Sequence, residues 1–476
     1  MSRPAIAAAG AYAPRLRITS DTIAEVWDRH RAGGISALAV PDADEDALTM
    51  AWEAARRALN AAGADARDVV FLAFATSTPP LDEEDLSVRL GSTLGVPSTA
   101  SRHYFTGSTR ASTSALEVAL AEGPWEDGIG LVVAADAPIG EPDDALGQGA
   151  GAGAAAFILA DDGGAFVEAT GAGATVTPGE RFRRRGSNTI EGLDITSYDR
   201  DAYQTAIEQA VEDMGQVVDD VDAVAMYAPD GKRPYRLAST LGVESEVITR
   251  GTTVHDLGDT GAASVPLGMV AAFESEVTTL LAIGYGSGAA ADAFYLSVGD
   301  VPVETSLETA HEIDYGTYLR RRGWLTSGEP EGGGAYVSLP TWRRSIEQRH
   351  RLIAGRCRAC GELVFPPEGA CPDCTALDGY EKVRLPGTGT VEATSTIAAG
   401  GAPPEFDRQQ SRAGAFPIAI VAFDGPDDDQ VSIPTQVVDT DTAPDVGDPA
   451  EAVIRRIYTQ EGVPRYGVKV RQVPTK

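Results

Sequence analysis

Every cysteine of this chain lies in one short stretch, RCRACGELVFPPEGACPDC, as Cys357, Cys360, Cys371 and Cys374. The spacing, C-x2-C-x10-C-x2-C, fits a closed four-thiolate zinc site with no open coordination position. A disulfide pair or a redox role is the alternative. Gly361, directly after Cys360, lets one turn close, and Arg356 and Arg358 offset the charge of a zinc tetrathiolate. A segment this short has little core of its own, so bound zinc (Zn2+) is what folds it. The placement also excludes something: no residue before Arg356 can supply a thiol.

A length of 476 residues predicts two or three domains. The first part carries an internal echo. The strand-like VVFLAFAT (Val69–Thr76) is matched by VDAVAMY (Val221–Tyr227). The helix-like ASTSALEVAL (Ala111–Leu120) is matched by AASVPLGMVAA (Ala262–Ala272). IGLVVAA (Ile129–Ala135) is matched by TLLAIG (Thr279–Gly284). Three features at one offset indicate a duplicated α/β unit. Strands alternating with helices predict mostly parallel sheets covered by helices. The strands are apolar throughout, as buried sheets require.

Beyond Glu304 the pattern changes. A Gly-rich turn falls at Glu331–Gly334, and Pro340–Arg349 reads as a polar, Arg-rich helix. From Gly387 onward, GTVEATSTI, PIAIVAFDG, QVSIPTQVV, EAVIRRIYT and YGVKVRQV are short strands without a long intervening helix. They predict a small β-barrel of the OB type. The Gly/Pro-rich stretch Ala399–Ala415 reads as a long loop. The expected domains are two α/β halves at 1–160 and 161–339, a helix plus rubredoxin-like zinc ribbon at 340–385, and the barrel at 386–476.

The formal net charge is -31, and the only lysines are Lys232, Lys382, Lys469 and Lys476. Acidic, lysine-poor and rich in Ala, Gly and Val, the composition resembles cytoplasmic proteins of salt-accumulating archaea; a merely acidic protein is the alternative. Molar salt screens such repulsion within about 3 Å. No long basic face is present, so nucleic acid is not an expected partner. No run of eighteen apolar residues predicts a membrane span. The segment MSRPAIAAAGAYAPRLRI reads as the start of the fold and not as a signal peptide. Cysteines at metal spacing fit a reducing cytoplasm.

Six stretches carry a family resemblance: GAYAPRLRI from Gly10, DALTMAWEAARRAL from Asp46, QGAGAGAAAFILA from Gln148, GDTGAAS from Gly258, GYGSGAAADAF from Gly284 and DYGTYLRRRG from Asp314. Together they resemble the thiolase superfamily, and most of all archaeal hydroxymethylglutaryl-CoA synthases. The resemblance implies a duplicated thiolase-like fold, a homodimer and an acyl-CoA ligand. Residues 340–476 resemble the zinc-ribbon/OB-fold proteins that accompany thiolases, which implies a partner role toward a catalytic thiolase and a contribution to an acyl-CoA pocket.

The departures from the family bear on chemistry. Aligned by its motifs, Phe105 falls at the nucleophilic Cys and Tyr227 at the general-base His. Ser77 falls at the acid, and Asp259 at the Asn of the Gly-Asn-Thr loop. Acyl transfer in this superfamily needs a thiolate. Thr106, Ser108 or Thr109, with His103, offer a hydroxyl instead, or are helix caps. Loss of several cooperating groups removes nearly all the rate enhancement they share. The leading expectation is therefore a degenerate, acyl-CoA-binding scaffold. The runner-up is an active enzyme, condensing or retro-aldol, using Tyr227, His255 and Asp259; for Tyr227 the alternative is packing, and for His255 a loop hydrogen bond. Arg181, Arg183, Arg184 and Arg185 in ERFRRRG, with Lys232, stand where the family contacts CoA; a solvated charge run is the other reading.

Overall fold

The computed structural model describes residues 4–125, 127–193, 196–216, 218, 220–308, 310–326, 338–398 and 407–473. The chain forms two compact units, Met1–Arg322 and Gly323–Lys476.

The first unit is built on one ten-stranded sheet. Its strands run in the order Ala223–Met226, Thr279–Gly286, Gly288–Val298, Ala165–Thr177, Ala5–Tyr12, Gly153–Ala160, Ile129–Asp136, Val69–Thr76 and Ser101–Thr106, with Val303–Ser306 alongside Ala5–Tyr12. The echo in the sequence is an echo in the fold. Val69–Thr76 lies parallel to Ile129–Asp136, as Ala223–Met226 lies parallel to Thr279–Gly286. The helices Ala111–Glu122 and Ser264–Phe273 occupy matching places, and their small apolar residues share one buried core.

The expectation of a mostly parallel sheet is corrected. Gly153–Ala160 and Gly288–Val298 run antiparallel to the strands preceding them, and the centre of the sheet is antiparallel throughout except for Val303–Ser306. Between Thr279–Gly286 and Gly288–Val298 there is only the turn at Ser287, too short for the helical crossover a parallel pair needs.

Local signals set the helices. Ala47–Ala62 starts at Asp46, which accepts from the Leu48 and Thr49 amides, while the Thr49 hydroxyl receives the Asp46 amide in a capping box. It stops at Gly63, left-handed at φ 60°. Gly10 in the first strand is required by this helix: a Cβ there would lie 2.3 Å from the Ala58 amide nitrogen.

The second unit opens with the helix Leu339–Arg351, capped by Ser338. The ribbon strands Ile353–Cys357, Leu363–Val364 and Tyr380–Arg384 follow. The strands Thr388–Ile397, Phe416–Asp424, Gln430–Val438, Pro449–Gln460 and Val463–Gln472 close into a barrel. Numbered in chain order they run 1-2-3-5-4 and back to 1, with only the third and fifth parallel, which is the OB arrangement. Leu352, Ala354 and Leu363 of the ribbon share a core with Val421, Phe423 and Ile433 of the barrel. Part of the expected loop Ala399–Ala415 is a helix, Asp407–Ala413. Its Gln410 side chain donates to the Ala398 carbonyl at 2.6 Å. The rest of that loop up to residue 406, and the turn Glu331–Gly334, lie outside the described residues.

Candidate functional site

The strand Thr279–Gly286 runs close against the start of the helix Ala111–Glu122, its glycines in contact with hydroxyl side chains there. A Cβ on Gly284 would lie 2.2 Å from Thr113 Oγ1, and one on Gly286 would lie 2.2 Å from Ser108 Oγ. This glycine-lined approach brings Thr109 Oγ1 to 2.7 Å from the Tyr285 carbonyl, to which it donates. Thr109 is buried and lines a cavity of about 670 Å³ together with Glu180, Arg181, Tyr227 and Tyr285. Arg29, Arg31 and Arg233 line the same cavity.

Two networks meet there. In the first, Arg181 Nη1 pairs with Asp259 Oδ2 and donates to the Tyr227 hydroxyl at 2.7 Å. The Tyr227 hydroxyl lies 3.5 Å from the same carboxylate oxygen. Asp259 is 1% exposed, and its other oxygen accepts from the Gly261 amide at 2.9 Å. The cation and the amide donor offset the cost of burying this carboxylate. In the second network, the Tyr285 hydroxyl donates to Glu180 Oε2. Burial, then the hydrogen bond to Glu180 and its charge, push the Tyr285 phenol far above the ordinary tyrosine value, so it stays a proton donor. The rings of Tyr227 and Tyr285 stack with centroids 6.4 Å apart, and the Tyr203 hydroxyl donates to the Tyr227 carbonyl at 2.6 Å.

The loop holding Ser77 is organised by Asp136. Its carboxylate accepts from Thr76 Oγ1 at 2.8 Å, from the Ser77 and Thr78 amides at 2.7 and 2.8 Å, and from the Ala262 amide at 2.6 Å. The Ser77 and Thr78 hydroxyls also donate to it, at 2.6 and 2.8 Å. Ser77 therefore anchors the loop, and the buried acid behind it is saturated with donors.

Of the residues singled out in the sequence, Tyr227, Asp259 and Arg181 come together. His255 does not join them. Its Nε2 lies 2.7 Å from the Tyr235 hydroxyl, and Nδ1 contacts the Gly34 carbonyl. The short turn Val254–Leu257 carries the ring toward the loop that contains Ser36, whose amide donates to the His255 carbonyl at 2.7 Å. The run ERFRRRG also divides. Arg183 donates to the Ser77 carbonyl, Arg184 pairs with Glu191 at 2.9 Å on the surface, and Arg185 is exposed. Lys232 is exposed, with its stem over Gly33, where a Cβ would meet Lys232 Cε at 2.8 Å.

Phe105 does not stand at the head of the buried helix. It belongs to the strand Ser101–Thr106, opposite Ala75, and packs against the core. The residue presented at the helix start is Thr109. Sequence reasoning weighed Thr109 only as one of several hydroxyls and did not find Glu180 or Tyr285. Both lie inside motif stretches, ERFRRRG and GYGSGAAADAF, whose spacing gives no sign that the two side chains meet.

The metal centre is separate. Cys357 and Cys374 sulfurs lie 3.7 Å apart, as do those of Cys360 and Cys371, and all four lie within 4.8 Å of one another. A zinc tetrathiolate with bonds of about 2.3 Å has sulfur–sulfur edges of about 3.8 Å, so the donor set fits zinc. Each pair sits on a matching turn: the Gly361 amide donates to the Cys357 carbonyl and the Thr375 amide to the Cys371 carbonyl, both at 2.9 Å. Gly361 (φ 85°) and Thr375 (φ 60°) are left-handed there. Arg356 meets Asp427 at 2.9 Å and Asp429 at 2.7 Å, tying the ribbon to a barrel turn.

The fold and these two sites define a thiolase-superfamily α/β unit joined to a zinc ribbon and an OB-type barrel. The family described as "ChsH2, rubredoxin-like zinc ribbon domain" matches residues 344–378. The chain is 30% identical over 345 residues to the hydroxymethylglutaryl-CoA synthase of Methanocella arvoryzae, which covers 68% of this chain and 98% of that protein. It is 30% identical over 340 residues to that of Archaeoglobus fulgidus, covering 66% and 96%. The chain belongs to the hydroxymethylglutaryl-CoA synthase family. Among solved structures, MvaS in complex with 3-hydroxy-3-methylglutaryl coenzyme A aligns with a TM-score of 0.60 at 18% identity, over 70% of this chain and 95% of that one. The 3-oxoacyl-[acyl-carrier-protein] synthase III of Aquifex aeolicus VF5 aligns with a TM-score of 0.55 at 19% identity, over 62% and 99%.

Proposed function

We propose that this protein binds an acyl-CoA in the cavity beside Thr109 without forming a covalent acyl-enzyme, and that it serves as a scaffold or partner subunit for a catalytic thiolase-type enzyme. The observation that carries the reading is the state of Thr109. A hydroxyl, not a thiol, stands at the helix start, and its proton is committed to the Tyr285 carbonyl at 2.7 Å. A hydroxyl attacks a thioester only with a base to take that proton. All four thiols are in the ribbon. Membership of a CoA-using family supports the ligand, and Arg29, Arg31 and Arg233 offer guanidinium groups suited to its phosphates. The zinc ribbon and barrel would contribute the partner surface. The high acidic charge supports a salt-rich archaeal cytoplasm, and the family supports a homodimer.

The test is a calorimetric titration of the full chain with CoA and acetyl-CoA in molar KCl, with co-purification from the native host. Binding, together with recovery of a thiolase-type enzyme that keeps its cysteine, supports the reading. Absence of both removes it.

The meeting of Arg181, Tyr227 and Asp259 favours a second reading, an acyl-CoA enzyme that cleaves or forms a carbon–carbon bond without a thiolate. Tyr227 would move the proton, with Asp259 and Arg181 holding it. Condensation or retro-aldol turnover that disappears in Tyr227→Phe would establish this second reading over the first.

A further inference from the structure

We propose that His255 is a positioning residue at the mouth of the cavity. Its imidazole ties the loop that bears Arg29 and Arg31 to the segment that bears Arg233, and so sets these guanidinium groups for the phosphates of a bound CoA. The inference deepens the acyl-CoA reading above and rests on it.

Residues 28–36 join the helix Ser20–Trp27 to the strand Ala37–Val40, and residues 227–233 join the strand Ala223–Met226 to the turn Pro234–Leu237. The two loops meet backbone to backbone at their glycines. The Gly231 amide donates to the Gly33 carbonyl at 2.9 Å. A Cβ on Gly34 would lie 2.7 Å from the Gly231 oxygen, and one on Gly231 would lie 2.0 Å from the Gly34 oxygen. His255 spans this contact. Its Nδ1 faces the Gly34 carbonyl, which can only accept, so Nδ1 carries a proton and donates. Its Nε2 meets the hydroxyl of Tyr235, in the turn that follows Arg233, at 2.7 Å. The rings of Tyr235 and His255 lie with centroids 5.6 Å apart.

The imidazole is itself held in place. Its neighbour Val254 is buried in one core with Ala32 and Ile35 of the first loop and Ala228 of the second. The His255 carbonyl accepts from the amide and the hydroxyl of Ser36, at 2.7 and 2.6 Å. The first loop is also anchored by the buried Gln148, whose side-chain oxygen accepts from the Arg31 amide at 2.7 Å. Arg29, Arg31 and Arg233 line the cavity from these two loops. A guanidinium on a backbone fixed in advance loses less freedom on taking a phosphate than one on a loose loop. His255→Ala keeps the Gly231 and Ser36 hydrogen bonds and removes the two made by the ring.

The experiment is a calorimetric titration of CoA into the full chain in molar KCl, with hydrogen–deuterium exchange of the ligand-free protein read by peptide mass spectrometry. His255→Ala should weaken CoA binding by about tenfold or more. It should also speed exchange in peptides covering 28–36 and 227–236, and not elsewhere in the first unit. His255→Asn places an amide donor where Nδ1 stands, and should restore affinity to within about threefold of wild type. His255→Leu fills the space without a donor and should bind CoA no better than His255→Ala, which separates the hydrogen bond from packing. CoA affinity in His255→Ala within about threefold of wild type, His255→Asn binding no better than His255→Leu, or faster exchange throughout the first unit overturns the proposal and leaves the acyl-CoA reading in place. A wild type that binds no CoA removes both.

Discussion

Thr109 Oγ1 donates to the Tyr285 carbonyl oxygen across 2.7 Å, joining the head of the buried helix to the strand that faces it. The contact depends on Gly284 and Gly286, where any side chain would strike Thr113 or Ser108. It converts the position from which a nucleophile would act into a structural tie. Replacing Thr109 with Cys puts a thiol at a helix N-terminus, where a thiolate is favoured. Thr109→Cys is expected to acquire an acetyl group from acetyl-CoA, detectable by intact mass, and still to condense nothing, because Ser77 and Tyr227 remain. Condensation by the single variant would contradict the importance of those two positions.

Asp136 gathers three loop residues and the start of the second central helix region around one carboxylate. Charge-assisted hydrogen bonds contribute more than neutral ones, and an amide in its place turns donors toward donors. Asp136→Asn is expected to cost about 3 kcal/mol, read from a denaturant midpoint. A change below about 0.5 kcal/mol would mean the loop does not depend on this charge.

The ribbon and the barrel are joined through Leu352, Ala354 and Leu363, which lie on or beside the ribbon strands yet pack in the barrel core. Purified protein should carry one zinc per chain by elemental analysis. Cys371→Ser should abolish it and lower the thermal stability of the isolated 323–476 unit, since structural zinc supplies folding energy directly. Unchanged melting of the metal-free variant would contradict the coupling.

A net charge of -31 makes stability depend on salt. Screening of surface repulsion predicts a melting temperature that rises between about 0.1 and 2 M KCl. A flat or falling curve would count against adaptation to high internal salt.

The parts legible in the sequence were those with a periodic or spaced signal. The cysteine quartet announced the ribbon, and the alternating segments after Gly387 announced the barrel. The paired stretches around Val69 and Val221 announced the duplication. The antiparallel turn-backs were harder, because Gly153–Ala160 and Gly288–Val298 are as apolar as the parallel strands beside them. The site was legible only in part. Tyr227 and Asp259 stand in short motifs with fixed spacing. Phe105 was misplaced because nothing in YFTGSTRAS marks where the strand ends and the helix begins. Arg181 was expected at a CoA phosphate and is found inside an ion pair, and Glu180 and Tyr285 meet only through the fold.

The central claim is that acyl-CoA is held here without acyl transfer to the protein. The direct measurement is the intact mass of the full chain after incubation with acetyl-CoA in molar KCl, under conditions where calorimetry shows the ligand bound. The account predicts an unchanged mass. An acetyl adduct on Thr109, or on any other side chain of the first unit, would contradict it.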